Sequence, residues 1–180
     1  MKYVAAAAAA VVFGLFCSLY VNDRMEQRDH EQALNSFYKV VIEQNFRGAP
    51  SKDAINQLSP LISTKLRNGL LFAMAAEEAH IKKTKGSQAP LFEGPMFVGV
   101  WEGADRVKGV TRENTPGKAS YLVTLAIKPP YDIALNSDWK DRAILVQENG
   151  KWVVDDLVFI IEDSRTNSRV LSQLLQAANR

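Results

Sequence analysis

One change of hydrophobic periodicity, near Met96, divides this chain into two parts. Before Met96, apolar residues recur at steps of three and four, which places them on one face of an α-helix. From Met96 onward, valine and aromatic residues alternate with polar ones, the pattern of strands with one buried face. Helices first and strands second predict an α+β fold.

Three helices are predicted before the change. The first covers 23–46, and the second covers 53–58 with Ser51 as its cap. The third opens at Pro60, because proline at the first helical position loses no hydrogen bond, and it stops at Gly86.

The second part of the chain predicts a sheet and a closing helix. The segments predicted as strands are 96–101, 106–112, 119–128, 143–148 and 152–161. Asn149 and Gly150 both tolerate positive φ and predict a tight hairpin between the last two. The closing helix contains Val170, Leu171, Leu174, Leu175 and Ala178, with Asp163 or Ser164 as its cap. The predicted architecture is three N-terminal helices packed on a curved, mostly antiparallel sheet of about five strands, followed by a C-terminal helix.

An uncharged segment stands at the start of the chain. Lys2 precedes residues 4–21, which carry no charge, and the sequence turns polar at Asn22. This pattern is typical of a cleaved signal peptide or of an uncleaved transmembrane anchor, and both alternatives are open. It predicts a leader over 1–22, one domain over 23–180, and a periplasmic location, either soluble or anchored to the inner membrane through 4–21.

Composition excludes several kinds of partner and site. The formal net charge is only +2, so no nucleic-acid partner is expected. Cys17, within the leader, is the only cysteine, and His30 and His80 are the only histidines. Glu77 and His80 have the Glu-x-x-His spacing of di-iron bundles, but the second copy that such a site needs is missing. No metal site and no cofactor are predicted, and Glu77 and His80 are interpreted as a solvated charged surface.

The candidate ligand-binding residues lie on the predicted strands. Trp101, Tyr121 and Trp152 could line a pocket at the open end of the sheet, although aromatic residues on strands are also typical of a core. Asp155 and Asp156 are neighbours in a strand, so strict alternation turns one of them toward packed apolar residues.

Two interpretations of that inward carboxylate are open. Desolvation would favour its neutral form, as in an acid or base of an enzyme. Alternatively, it accepts hydrogen bonds from a helix start, or from Arg106 or Lys151, and pins the hairpin. The second interpretation is favoured, because no histidine or tyrosine lies in the same hairpin.

The last hairpin, LVQENGKWVVDDLVF over 145–159, resembles the final two strands of the nuclear transport factor 2-like superfamily. The order of elements is also similar to that cone-shaped fold, and 58–107 resembles a group of exported bacterial proteins within it. The resemblance implies a cone domain, but the superfamily contains enzymes, binding modules and scaffolds. The expected function is a non-catalytic interaction protein that holds a protein or small molecule on the concave sheet face, with an immunity protein against a toxin as one form. The alternative is an acid-base enzyme that uses Asp155 or Asp156.

Overall fold

The computed structural model describes residues 2–115, 117–127, 138–160 and 169–177, and for 2–22 it describes the backbone alone. In chain order the elements are α1 (Lys2–Gln44), α2 (Lys52–Leu58), α3 (Thr64–Thr84), β1 (Arg106–Glu113), β2 (Ala119–Ala126), β3 (Asp138–Glu148), β4 (Lys151–Phe159), β5 (Arg169–Val170) and α4 (Leu171–Ala177). The strands form one open sheet in the order β1-β2-β3-β4-β5, and every pair is antiparallel. The predicted α+β class is confirmed.

One face of the sheet packs against the helices and is filled by side chains. On β2 the alternate residues Tyr121, Val123 and Leu125 are all fully buried. Facing them are fully buried residues of α1 and α3: Leu34, Phe37, Tyr38 and Leu70. The middle of the helix-facing side is therefore a packed core within the described part of the chain.

The turn between β3 and β4 has the predicted form. Asn149 has a φ of 52° and Gly150 a φ of 75°, so two successive residues are left-handed, as a two-residue hairpin requires. The Asn-Gly sequence supplies the two residue types that adopt this conformation at least cost.

We expect Gly150→Val to lower the free energy of unfolding by about 1–2 kcal/mol, because a β-branched residue resists positive φ. Urea denaturation measures the change. Lys140→Val, which puts the same residue on an exposed position of β3, is the control and should change stability by less than about 0.5 kcal/mol. Equal effects of the two substitutions would contradict the turn assignment.

The third helix begins at Thr64 rather than at Pro60, so the predicted start is wrong. The cap is Ser63, whose Oγ accepts a hydrogen bond from Leu66 N at 3.0 Å. Before the cap, the backbone pairs with β4: Ser63 N donates to Val154 O, and Val154 N donates to Leu61 O. This pairing holds the chain extended beside β4 and delays the helix.

Residues 96–101 form a loop, so the strand predicted there is wrong. Gly99 N donates to a side chain, Asp141 Oδ2, at 2.8 Å, and not to a neighbouring strand. The fifth strand is instead β5, two residues that pair with Val158 and Phe159 and that are too short for a periodic signal. The candidate caps Asp163 and Ser164 lie outside the described residues.

α1 is one continuous helix, and its backbone does not break at the predicted boundary after residue 22. From residue 23 onward α1 is rich in charge, with Asp23, Arg24, Glu26 and Asp29 in its first two described turns. Among the described residues, no helix has both the length and the apolar character needed to cross a membrane. This finding overturns the prediction of a transmembrane helix. The periplasmic location stays a prediction.

Candidate functional site

An open groove of about 540 Å³ lies between the 91–101 loop, the end of β4, β5 and α4. Apolar residues make up most of its lining: Leu91, Phe92, Pro95, Met96, Val98, Val100, Trp101, Phe159, Leu174 and Ala177. Three of these side chains, Leu91, Trp101 and Leu174, are exposed to solvent although they are large and apolar. Concave sites with mostly apolar walls are typical of ligand binding, and exposed apolar clusters are typical of interaction surfaces.

Trp101 is held in place although 59% of its surface is exposed. Its ring lies on Gly94, where a Cβ would come within 2.7 Å of the ring, so only glycine fits beneath the indole. Arg47 Nη2 donates to Trp101 O at 2.9 Å, and the guanidinium lies 5.5 Å from the ring centroid. The groove therefore presents a fixed aromatic surface.

Glu77 and His80 of α3 hold one wall of the groove. The Glu77 carboxylate is buried and accepts hydrogen bonds from Leu91 N at 3.3 Å and Phe92 N at 3.1 Å. His80 Nε2 donates to Ala89 O at 2.9 Å. The Glu-x-x-His spacing thus fastens a loop to α3, and the interpretation of Glu77 as a solvated residue is wrong. No group of three or more metal-ligating side chains occurs among the residues described.

The floor of the groove contains Gly99, and the fully buried Asp141 lies behind it. Gly99 N and Trp139 Nε1 both donate to Asp141 Oδ2, at 2.8 Å and 3.2 Å. A Cβ at Gly99 would come within 2.6 Å of Asp141 Oδ1, so the carboxylate occupies the space of the missing side chain. Glycine at 99 is what lets the loop close over Asp141.

Asp141 titrates in an unusual range. Burial raises the pKa of Asp141 from 3.8 to about 6, against the opposing effect of hydrogen bonds from Gly99, Trp139 and Ile160. Asp141 Oδ1 and Tyr38 Oη are buried, and neither atom has a hydrogen-bond partner among the residues that the structure describes. Burial, and then the nearby Asp141, raises the pKa of Tyr38 well above its usual value, so Tyr38 stays neutral. Asp141 was not predicted as a site residue, because it lies before the strand predicted at 143–148, where an acidic residue looks solvent-facing.

Tyr121 and Trp152 lie in a different place from Trp101. Tyr121 Oη is 2.7 Å from His30 Nδ1, and the His30 ring meets the Trp152 ring edge-on at 4.0 Å. Burial lowers the pKa of His30, whereas the nearby Glu26 carboxylate raises it. Neither Tyr121 nor Trp152 lines the groove. Of the three predicted aromatic residues, the structure brings two together with His30 and places the third alone at the groove.

Asp155 occupies a β-bulge, so the strict alternation predicted for 152–159 is wrong. Asp156 pairs with Ile144 and Val154 pairs with Leu145, which leaves Asp155 as the extra residue on β4. The two carboxylates therefore do not simply point to opposite faces of a regular strand.

Both carboxylates bind the starts of helices. Asp155 accepts hydrogen bonds from Ser63 Oγ at 2.7 Å and Lys65 Nζ at 2.6 Å, at the start of α3. Asp156 accepts hydrogen bonds from Ser172 N at 3.0 Å and from Ser172 Oγ, in the first turn of α4. These hydrogen bonds match the interpretation in which the carboxylate binds a helix start and pins the hairpin. The donors include Lys65 and Ser172, where Arg106 and Lys151 had been considered. Neither carboxylate lines the groove.

We expect Asp156→Ala to lower the free energy of unfolding by about 1–3 kcal/mol, because it leaves Ser172 N without its partner and removes a buried charged acceptor. Chemical denaturation measures the loss, and Asp53→Ala, at an exposed residue, is the control. An Asp156→Ala protein as stable as wild type would contradict the anchoring role.

Comparisons of this chain with protein-family models, with curated proteins and with solved structures found no match.

Proposed function

We propose that this protein is a non-catalytic binding domain of the nuclear transport factor 2-like type, and that it holds its ligand in the groove beside Trp101. The observation that carries the proposal is the fixed, exposed indole of Trp101 at an apolar groove. Large aromatic side chains that are held in place contribute much of the energy at binding sites. An immunity protein that blocks a toxin is one form of this function.

The site differs from the one expected on the concave sheet face. The helix-facing side is filled at Tyr121, Val123 and Leu125, all fully buried, so a ligand there would have to displace the core. The groove is already open and needs no such rearrangement. The order of helices, sheet and closing helix supports the proposed superfamily.

Titration with the fluorescent apolar probe 8-anilinonaphthalene-1-sulfonate tests the groove as a binding site. Leu174→Gln and Trp101→Ala should each raise the Kd of the probe by about tenfold, which corresponds to losing about 1.4 kcal/mol of contact. Ile81→Gln, an exposed apolar residue on α3 outside the groove, is the matched control and should leave the Kd unchanged. An equal rise in the Kd of the probe with all three variants would contradict the proposal, and so would an unchanged Kd with all three.

An acid-base enzyme remains a second candidate, and one observation favours it. Asp141 lies behind the groove floor with a pKa of about 6, close to the value that suits proton transfer near neutral pH. This candidate replaces Asp155 and Asp156 with Asp141 as the acid or base. A folded Asp141→Asn variant that binds a small molecule normally but no longer converts it would establish the enzyme; unchanged turnover would exclude Asp141 from catalysis.

A further inference from the structure

Two charged side chains of opposite sign line the apolar groove. Glu93 lies on the 91–101 loop and Arg169 lies on β5. Both residues are exposed, and neither side chain forms an ion pair with another residue in the described part of the chain. Arg47, which also lies close to Trp101, already donates to Trp101 O.

This pair of charges distinguishes between classes of ligand. A fatty acid or similar anionic amphiphile would pair with Arg169 but bring a like charge near Glu93. An apolar cation would pair with Glu93 but bring a like charge near Arg169. A peptide segment with apolar side chains between a basic and an acidic residue is complementary to both charges and to the apolar lining.

The layout of the groove agrees with a protein partner. Protein interfaces have an apolar centre, a polar rim, and enrichment of tryptophan and arginine. Here Trp101 and Leu174 expose apolar surface, and Glu93 and Arg169 carry charges in the same groove. Trp101 has the character of an anchor residue, because its ring is fixed against Gly94 before any partner arrives.

We propose that the groove binds a peptide segment of a partner protein, in which apolar residues are flanked by a basic residue facing Glu93 and an acidic residue facing Arg169. This inference rests on the proposed function and specifies its ligand. Trp101 and Leu174 supply the contact area, and the two charges select the sequence and set its direction.

Blocked synthetic peptides with one shared leucine-phenylalanine-leucine centre test the inference. The flanking residues are lysine and glutamate in either order, two lysines, two glutamates, or two serines. At low salt, one mixed order should bind about two- to fivefold more tightly than the serine peptide, the usual effect of exposed ion pairs. The advantage should shrink at high salt, where exposed charges are screened.

Variants that each remove one charge show which groove residue causes the preference for lysine and which causes the preference for glutamate. Glu93→Gln should abolish the gain from lysine, and Arg169→Gln should abolish the gain from glutamate. Glu78→Gln, at an exposed residue of α3 outside the groove, is the control and should preserve both gains. Gains that survive both groove substitutions would overturn the inference.

Other occupants give different outcomes in the same experiment. Tightest binding of decanoate or of the two-glutamate peptide would overturn the inference in favour of an anionic amphiphile. A Trp101 signal that changes with protein concentration alone would overturn it in favour of a second copy of this chain. If the naphthalene probe responds to the groove substitutions but no peptide binds, this inference fails and the proposed function stands; if the probe does not respond either, both fail.

Discussion

Asp141→Asn is expected to stabilise the protein at neutral and alkaline pH. The raised pKa of Asp141 means that the folded state favours the protonated carboxyl. The stability gained because folded Asp141 holds its proton is fully present below pH 3.8. That stability is lost as the pH rises through about 6. The difference between a pKa of 3.8 and one of about 6 corresponds to about 3 kcal/mol, and this is the upper limit of the gain.

The measurement compares the free energy of unfolding of wild type and Asp141→Asn from pH 4 to pH 8. The two values should be close at pH 4 and separate as Asp141 ionises, with the variant more stable at pH 8. The amide retains an oxygen that can accept from Gly99 N, so the loop contact can be kept. Asp138→Asn, which only removes the Lys108 ion pair at the surface, is the control. Parallel curves would contradict the burial of an ionised Asp141.

Phe37→Ala should cause the largest loss of stability, about 3–5 kcal/mol, the usual range for emptying a fully buried phenylalanine site. Phe37 meets Tyr38 and Phe97 edge-on, at ring-centroid distances of 5.2 Å and 5.8 Å. Phe97 belongs to the 91–101 loop, so Phe37 connects α1 to the segment that forms the groove. The substitution should therefore also weaken binding of the naphthalene probe in protein that is still folded.

Phe72→Ala is the matched control for this prediction. Phe72 is 43% exposed on α3 and lies outside the groove, so its removal should cost less than about 1 kcal/mol and leave probe binding intact. Equal destabilisation by the two substitutions would contradict the described core.

The sequence predicted the parts of the fold that depend on local periodicity and turn chemistry. The α+β class, the Asn149–Gly150 turn, α2 and β1 follow from patterns within a few residues of the chain. The failures depend on contacts that are distant in sequence. Pairing of 61–63 with β4 moved the start of α3, and the side chain of Asp141 took the Gly99 amide that a strand at 96–101 would have used.

The predictions of site residues also failed where they depended on contacts that are distant in sequence. Trp101 was predicted as a binding residue and lines the groove, whereas Tyr121 and Trp152 pack on His30, which is far away in the sequence. The β-bulge at Asp155 shifted the faces of β4, and no local pattern signals such an extra residue. Asp141 was missed altogether, because its burial depends on a loop that closes over it.

The three tryptophan side chains together test whether ligands bind in the groove beside Trp101 or on the helix-facing side of the sheet. Each indole N–H gives one signal in a proton–nitrogen correlation spectrum, so Trp101, Trp139 and Trp152 can be followed together during titration with 8-anilinonaphthalene-1-sulfonate. We expect the Trp101 signal to shift until the protein is saturated, while the signals of Trp139 and Trp152 stay in place. A saturating shift of Trp152 with an unmoved Trp101 would contradict this expectation.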